Sequence, residues 1–366
     1  MRDRRVTARI GVWLGVSFAI CFITGLLSHL IQHPPGWFVW PTRPVYLYRL
    51  TQGLHVFTGI AAIPLLLAKL YTVYPKLFTW PPFRSLGHLV ERVSILVLIA
   101  AAFFQLSTGL LNYAEWFPWG FGFPAAHYAM AWVAIGALLV HLAVKLPVII
   151  DALRSPVEQR DPGTPVPETG PSRRTFISAA LVAAGTVVVA TVGNTVPALR
   201  RVSVLAPRTG DGPQGLPVNK TALSARVGDA AQDPGYRLQV TGPAGSRTYS
   251  RDDLEAMSQR TAELPIACVQ GWSAYATWSG VPVAALTALV GATGEEDVRF
   301  VSLQQSGRYK ESVLPARHAR DPLTLLALRV NDEVLDLDHG YPCRLIAPSR
   351  PGVLQTKWVS RIEVLT

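Results

Sequence analysis

The chain has 366 residues, of which 49% are hydrophobic and only 16% charged, with a mean hydropathy of +0.27; an ordinary soluble protein is less apolar. The net charge of +10 sits wholly in residues 1–215, which carry 18 Lys/Arg against 8 Asp/Glu, while residues 216–366 carry 16 of each. A basic excess confined to apolar segments argues against a nucleic-acid partner and reads as membrane orientation.

Four apolar runs precede residue 150, at roughly 10–31, 53–74, 90–112 and 126–149. Each approaches or exceeds the ~20 residues of a bilayer-spanning helix, so residues 1–154 are expected to form a four-helix transmembrane domain. Arg2, Arg4, Arg5 and Arg9 lie at the start of the first run, Lys76, Arg84 and Arg92 between or beside the second and third, and Lys145, Arg154, Arg160, Arg173 and Arg174 after the fourth. The other two connections hold only Arg43 and Arg49 against Glu115. The positive-inside rule then puts the N-terminus in the cytoplasm.

Residues 155–174, SPVEQRDPGTPVPETGPSRR, are rich in Pro, Gly and charge and read as a cytoplasmic linker. A fifth, uncharged run, FISAALVAAGTVVVATVGNTV, covers 176–196. The junction SRRTFI resembles a twin-arginine translocation signal with Arg173 and Arg174 as the pair. Two positive-inside arginines before an ordinary helix are the plainer alternative. The resemblance implies that 175–196 is both signal and anchor, read by the twin-arginine translocase. A linker at 197–215 then leads to a domain at 216–366 on the extracytoplasmic side of the membrane.

The histidines of the bundle suggest a metal group. His127 and His141 are 14 residues apart on the fourth helix, which returns to within about 40° of the same face about 21 Å along the axis. One imidazole would lie near each leaflet. This His-x13-His spacing resembles the membrane cytochrome b subunits of formate dehydrogenases and hydrogenases. The resemblance implies one or two b haems with His127 and His141 as ligands, and His55 on the second helix as partner of His127. The family places an inner-haem ligand on the first helix, where His29 lies too far outward; His88, at the inner start of the third helix, is the remaining candidate. Interfacial, merely hydrogen-bonded histidines are the alternative.

Residues 216–366 alternate short strand-like runs (YRLQVTG, DVRFVSLQQSG, CRLIAPS, KWVSRIEVLT) with helical patches (RDDLEAMSQ, PVAALTALVG, LTLLALRV), which predicts an α+β domain. The ordered set LPIACVQGWSAYATWSG, VSLQQSGRYKESV and LALRVNDEVLDLDHGYPCRLIAP…KWV resembles the molybdopterin-binding domain of the sulfite-oxidase fold family, over essentially all of 216–366. The CVQGWS surroundings look more like the bacterial branch that includes the periplasmic methionine-sulfoxide reductases. The resemblance implies that Cys268 is the protein's ligand to molybdenum, a soft metal suited to thiolate. It also implies that His339, Arg344, Gly352 and Lys357 surround the pterin and its phosphate, that Asn219 approaches the pterin, and that Arg308 and Tyr309 face substrate or cofactor. A buried structural cysteine or a Cys268–Cys343 disulfide are the alternatives. Sulfite oxidases proper carry a tyrosine where Leu328 aligns and arginines where this chain has Gln270, Gly271 and Trp272. A small dianion such as sulfite needs such cations, unless Arg308 or Arg317 turns into the site.

The expected architecture is an all-α transmembrane bundle followed by a sulfite-oxidase-like α+β domain. The expected activity is oxygen-atom transfer at a molybdenum-molybdopterin cofactor, in the sulfoxide or N-oxide reductase direction, with b haem linking it to the quinone/quinol pool in the lipid membrane. A sulfite-type dehydrogenase and a metal-free extracytoplasmic binding module are the rival readings.

Overall fold

The computed structural model describes residues 2–80, 85–159, 172–207 and 212–365. Arg84, and residues 160–171 and 208–211 of the two expected linkers, with Arg160 among them, lie outside the described residues. The chain divides into two compact units, 1–27 with 53–207 and 28–52 with 208–366.

The first unit is helical. α1 (Arg4–Gln32), α2 (Leu47–Leu77), α3 (Leu86–Tyr113), α4 (Phe123–Arg154) and α5 (Arg173–Thr191) coincide with the five apolar runs and extend several of them. All five are long and apolar enough to cross a membrane. Large side chains such as Leu96, Leu139 and Val182 stay exposed, as a lipid-facing surface allows. Ser85 caps α3 by accepting from the His88 amide at 3.2 Å, and Ser172 caps α5 through the Thr175 amide at 3.1 Å. Two contacts fix the antiparallel register of α3 and α4: Thr108 Oγ1 with His127 Nδ1 at 3.3 Å, and the Glu91–Lys145 ion pair at 2.5 Å. Arg173 is tied into this unit, paired with Asp3 at 2.9 Å and donating to the carbonyls of Val157 and Gln159.

The second unit contains two five-stranded sheets. Its strands are β1 (Leu238–Gly242), β2 (Gly245–Tyr249), β3 (Arg260–Ala267), β4 (Ser273–Pro282), β5 (Val298–Ser302), β6 (Glu311–Leu314), β7 (Leu325–Val330), β8 (Glu333–Val334), β9 (Arg344–Ile346) and β10 (Val359–Val364). One sheet runs β2-β1-β10-β5-β6, with β1 and β10 parallel and the other pairs antiparallel. The other runs β3-β4-β7-β8, with β9 on β7. Short helices α6 (Ala222–Ala225), α7 (Gly228–Gln232), α8 (Arg251–Ala256), α9 (Val283–Ala288) and α10 (Ala316–Ala319) punctuate the strands. α8 begins with a Ser250/Asp253 capping box. The main core gathers Leu238, Val240, Phe300, Leu314, Leu345 and Ile362, each essentially inaccessible.

One expectation fails here. LTLLALRV reads as a helical patch but forms β7, paired on one side with β4 and on the other with β8 and β9. Leu325 to Leu328 are all buried, so both faces of the strand are covered. A strand covered on both faces shows no alternation, and a short apolar run of this kind cannot be told from a buried helix by periodicity.

Candidate functional site

Within the second unit the loop between β3 and β4 carries Cys268. Its backbone closes on itself: the Cys268 amide donates to the Trp272 carbonyl at 2.8 Å and the Gly271 amide to the Cys268 carbonyl at 3.0 Å. The thiol is buried, and it accepts from the Asn219 side-chain amide and from the Gln270 backbone N–H at 3.4 Å. The Trp272 indole donates to Asn219 Oδ1, which fixes that amide with its nitrogen toward the sulfur. Donors aimed at a sulfur favour thiolate.

Cys268 lines a cleft of about 870 Å³, open solvent included. Asn219, Arg308, Tyr309, His339, Arg344, Gly352 and Lys357 line the same cleft, so the eight residues expected for this site, spread over 139 positions, converge. Arg317 does not line it, and Leu328 is buried in the main core. Lys220 and Gln304 also line the cleft and were missed by sequence reasoning, although Lys220 stands beside Asn219 in LPVNKTA.

The far wall is cationic. Arg344 is 1% exposed, donates to the carbonyls of His339 at 2.9 Å and Gln355 at 3.4 Å, and keeps a buried Nε with no hydrogen-bond partner. Burial lowers its guanidinium to about 9. Lys357 donates to the carbonyls of Asp338 at 2.6 Å and Lys220 at 3.0 Å; burial, then the neighbouring Arg344, lower it to about 7. Burial and Arg344 likewise bring His339 down to about 4, so it is neutral near pH 7. Its Nε2 lies 2.7 Å from the Pro213 carbonyl, which can only accept, so Nε2 carries the proton. Arg344 and Lys357 hydrogen-bond only to neutral carbonyls, with Asp338 the carboxylate acting on Lys357, so the positive charge here is only partly compensated. An anion of phosphate type, together with a thiolate ligand for a soft metal, fits this donor set.

Gly340, in DHG, permits the wall to form. Its φ is +110°, and a Cβ there would stand 3.1 Å from Arg344 Cβ and 3.2 Å from Lys357 Cβ. Gly340→Ala should lower stability by about 1–3 kcal/mol, read as a reduced thermal midpoint of the detergent-purified protein; an unchanged midpoint would refute this account of the turn.

Residues 28–52 also belong to this unit. The Trp40 indole donates to the Ser349 carbonyl at 2.8 Å, Arg43 pairs with Asp321 at 2.8 Å, and Gln52 donates to the Val269 carbonyl at 2.8 Å. Tyr309 donates to Gln32 Oε1 at 3.1 Å, and Arg308 donates to His33 Nε2 at 2.6 Å. The aromatic connection between the first two apolar runs thus holds two cleft residues in place, which no local motif foreshadowed. Cys343 is a free, fully buried thiol in the main core, 3.2 Å from Tyr236 Oη, and burial pushes it up to about 12; no disulfide joins it to Cys268.

In the first unit the His55 and His127 ring centres are 6.4 Å apart. Imidazole nitrogens ligate metals at about 2 Å, and with about 1 Å more to the ring centre two rings across one metal stand about 6 Å apart. His55 Nδ1 lies 2.9 Å from the Cys21 carbonyl, and His127 Nδ1 3.3 Å from Thr108 Oγ1. Holding Nδ1 by such a contact orients Nε2 for a metal. Gly25 gives His55 its room, since a Cβ there would stand 2.9 Å from His55 Cε1. The pair fits bis-imidazole ligation. His29 instead stacks on His33 in the second unit, with ring centres 4.7 Å apart. The α3/α4 register puts His141 level with residue 95, so His88 is displaced from it by seven residues, about 10 Å. His88 does not meet His141.

Residues 226–366 match the family model described as the oxidoreductase molybdopterin binding domain. A putative protein-methionine-sulfoxide reductase subunit YedZ1 of Azospira oryzae is 32% identical over 130 residues, covering 35% of this chain and 48% of its own length. The mitochondrial sulfite oxidase of Drosophila melanogaster is 28% identical over 154 residues, covering 35% and 27%. The protein-methionine-sulfoxide reductase catalytic subunit MsrP of Ralstonia nicotianae is 31% identical over 131 residues, covering 32% and 39%. The chain spans about half or less of the length of these relatives.

Proposed function

We propose that this chain, whose residues 226–366 are a molybdopterin-binding oxidoreductase domain of the sulfite-oxidase fold, is a membrane-anchored reductase of sulfoxide-type or N-oxide-type substrates. The observation that carries this reading is the Cys268 thiol in a cleft that Arg344, Lys357 and Lys220 also line. When bound there, a molybdenum pyranopterin supplies two-electron oxygen-atom transfer, and a b haem in the bundle supplies single-electron steps to and from the quinone pool.

The chain's own residues bind and orient. Cys268 offers the sulfur that would hold molybdenum, and the Asn219 side-chain amide and the Gln270 N–H donate to it. Arg344, Lys357 and Lys220 neutralise the pterin phosphate. His339 presents a neutral ring whose Nε2–H is spent on Pro213, leaving Nδ1 to accept. Arg308 and Tyr309, steadied by His33 and Gln32, offer donors to the substrate oxygen. His55 and His127 hold the haem. The basic connections support an extracytoplasmic catalytic domain, and SRRTFI supports export by the twin-arginine route.

Similarity to the reductase subunits supports the reductase direction. Arg308 in the cleft favours one rival, a sulfite-type dehydrogenase, because it supplies a cation for an anionic substrate. Stopped-flow spectroscopy separates them. Dimethyl sulfoxide or free methionine sulfoxide should oxidise a chemically pre-reduced haem; haem reduction by sulfite in the oxidised protein would overturn the reductase reading. Purified protein without molybdenum, from a host that loads the cofactor, would leave the metal-free binding module.

A further inference from the structure

The bundle has a second, inner level below the one that His55 and His127 share. His127 and His141 mark two levels of α4 about 21 Å apart. α2 runs in the same direction as α4, and His55 meets His127 at the outer level. The same 14-residue step along α2 arrives at Lys69, not at a histidine. We infer that the bundle binds one b haem, held by His55 and His127, and that Lys69 makes the inner level a haem-free site. This rests on the haem reading above.

Lys69 is turned toward α1. Its ammonium donates to the Thr7 carbonyl at 2.8 Å and lies against Gly11, where a Cβ would come within 2.6 Å of Nζ. An ammonium engaged in this way has no lone pair for iron. Ligation of iron by Lys69 would require it to give up its hydrogen bond to the Thr7 carbonyl as well as a proton.

The remaining histidines supply no substitute. Of the eight in the chain, His29, His33, His318 and His339 belong to the other compact unit. His55 and His127 form the outer pair, and His88 lies about 10 Å along the axis from the level of His141. His141 is left facing no second imidazole, and its Nδ1 is buried with no hydrogen-bond partner. A haem ligand is expected to have its Nδ1–H held by a carbonyl or carboxylate, as His55 Nδ1 is by the Cys21 carbonyl.

The test is the haem content of the purified full-length protein by pyridine haemochromogen assay, with a potentiometric titration counting the components. Wild type, His141→Gln and Lys69→Met should each carry one haem and titrate as one component. His55→Ala and His127→Ala should carry none. Two haems in wild type, or loss of haem in either His141→Gln or Lys69→Met, would overturn the inference while keeping the haem reading. No haem in wild type would remove both. Lys69→His adds a gain-of-function arm: a second haem is expected, because it restores the missing imidazole opposite His141, and a count fixed at one would show that the lysine is not what excludes it.

Discussion

Cys268→Ala should strip molybdenum from the purified protein and leave its haem spectrum unchanged. Wild type from a host that loads the cofactor should hold about one molybdenum per chain, and the variant less than a tenth of that. Turnover should fall by more than about 100-fold, the upper range for losing a residue that merely orients a metal ligand. The fold should survive, because the Cys268 loop is held by the backbone bonds from Cys268 to Trp272 and from Gly271 to Cys268, which do not involve the sulfur. Cys343→Ala is the control. That thiol sits in the main core against Tyr236, whose hydroxyl also donates to the Val359 carbonyl. Its loss should cost stability, about 1–2 kcal/mol for a small buried group, while molybdenum stays near one per chain. Elemental analysis beside a thermal melt reads both. Molybdenum retained in Cys268→Ala, or lost equally in both variants, would refute the assignment of the ligand.

Much of this site was legible because its chemistry is concentrated in short ordered motifs. Cys268, DHGYPCR and RPGVLQTKW each mark one wall, and the fold brings them together. What stayed hidden was long-range. Nothing near Gln32 or His33 announces that they hold Tyr309 and Arg308, some 275 residues away in sequence. β7 reads as a helical patch because burial on both faces erases its period. The bundle shows the same division. Its five helices follow from apolar length and the meeting of His55 with His127 from the resemblance, whereas the separation of His88 from His141 depends on the register of α3 against α4. Lys69 carried its signal in plain view, 14 residues after His55, but an isolated lysine in an apolar run means little until its partners on α1 are known.

Lys357 should make the cofactor-free protein's stability depend on pH in an unusual direction. A free lysine titrates near 10.5, and burial beside Arg344 lowers Lys357 to about 7. Between those values the unfolded chain holds a proton that the folded chain does not. The unfolded state then binds more protons, and stability rises with pH across this window. Below about 7 both states are protonated and the full penalty of burying the charge is present; above about 10.5 it has vanished. A bound phosphate reverses the local balance, because an adjacent dianion favours the ammonium. Cofactor binding should therefore take up close to one proton per chain at pH 8–9, and affinity should weaken as pH rises through that range. In Lys357→Met the apoprotein should gain stability at pH 7 and lose most of the rise between pH 7 and 9, while cofactor affinity drops by about 10- to 100-fold. Melts of cofactor-free wild type and variant at pH 6 to 10, compared by difference so that other groups cancel, measure the slope. A wild-type curve that is flat, or that falls with pH as steeply as the variant's, would mean that Lys357 is charged in the empty cleft and that the cationic wall is already neutralised by the protein itself.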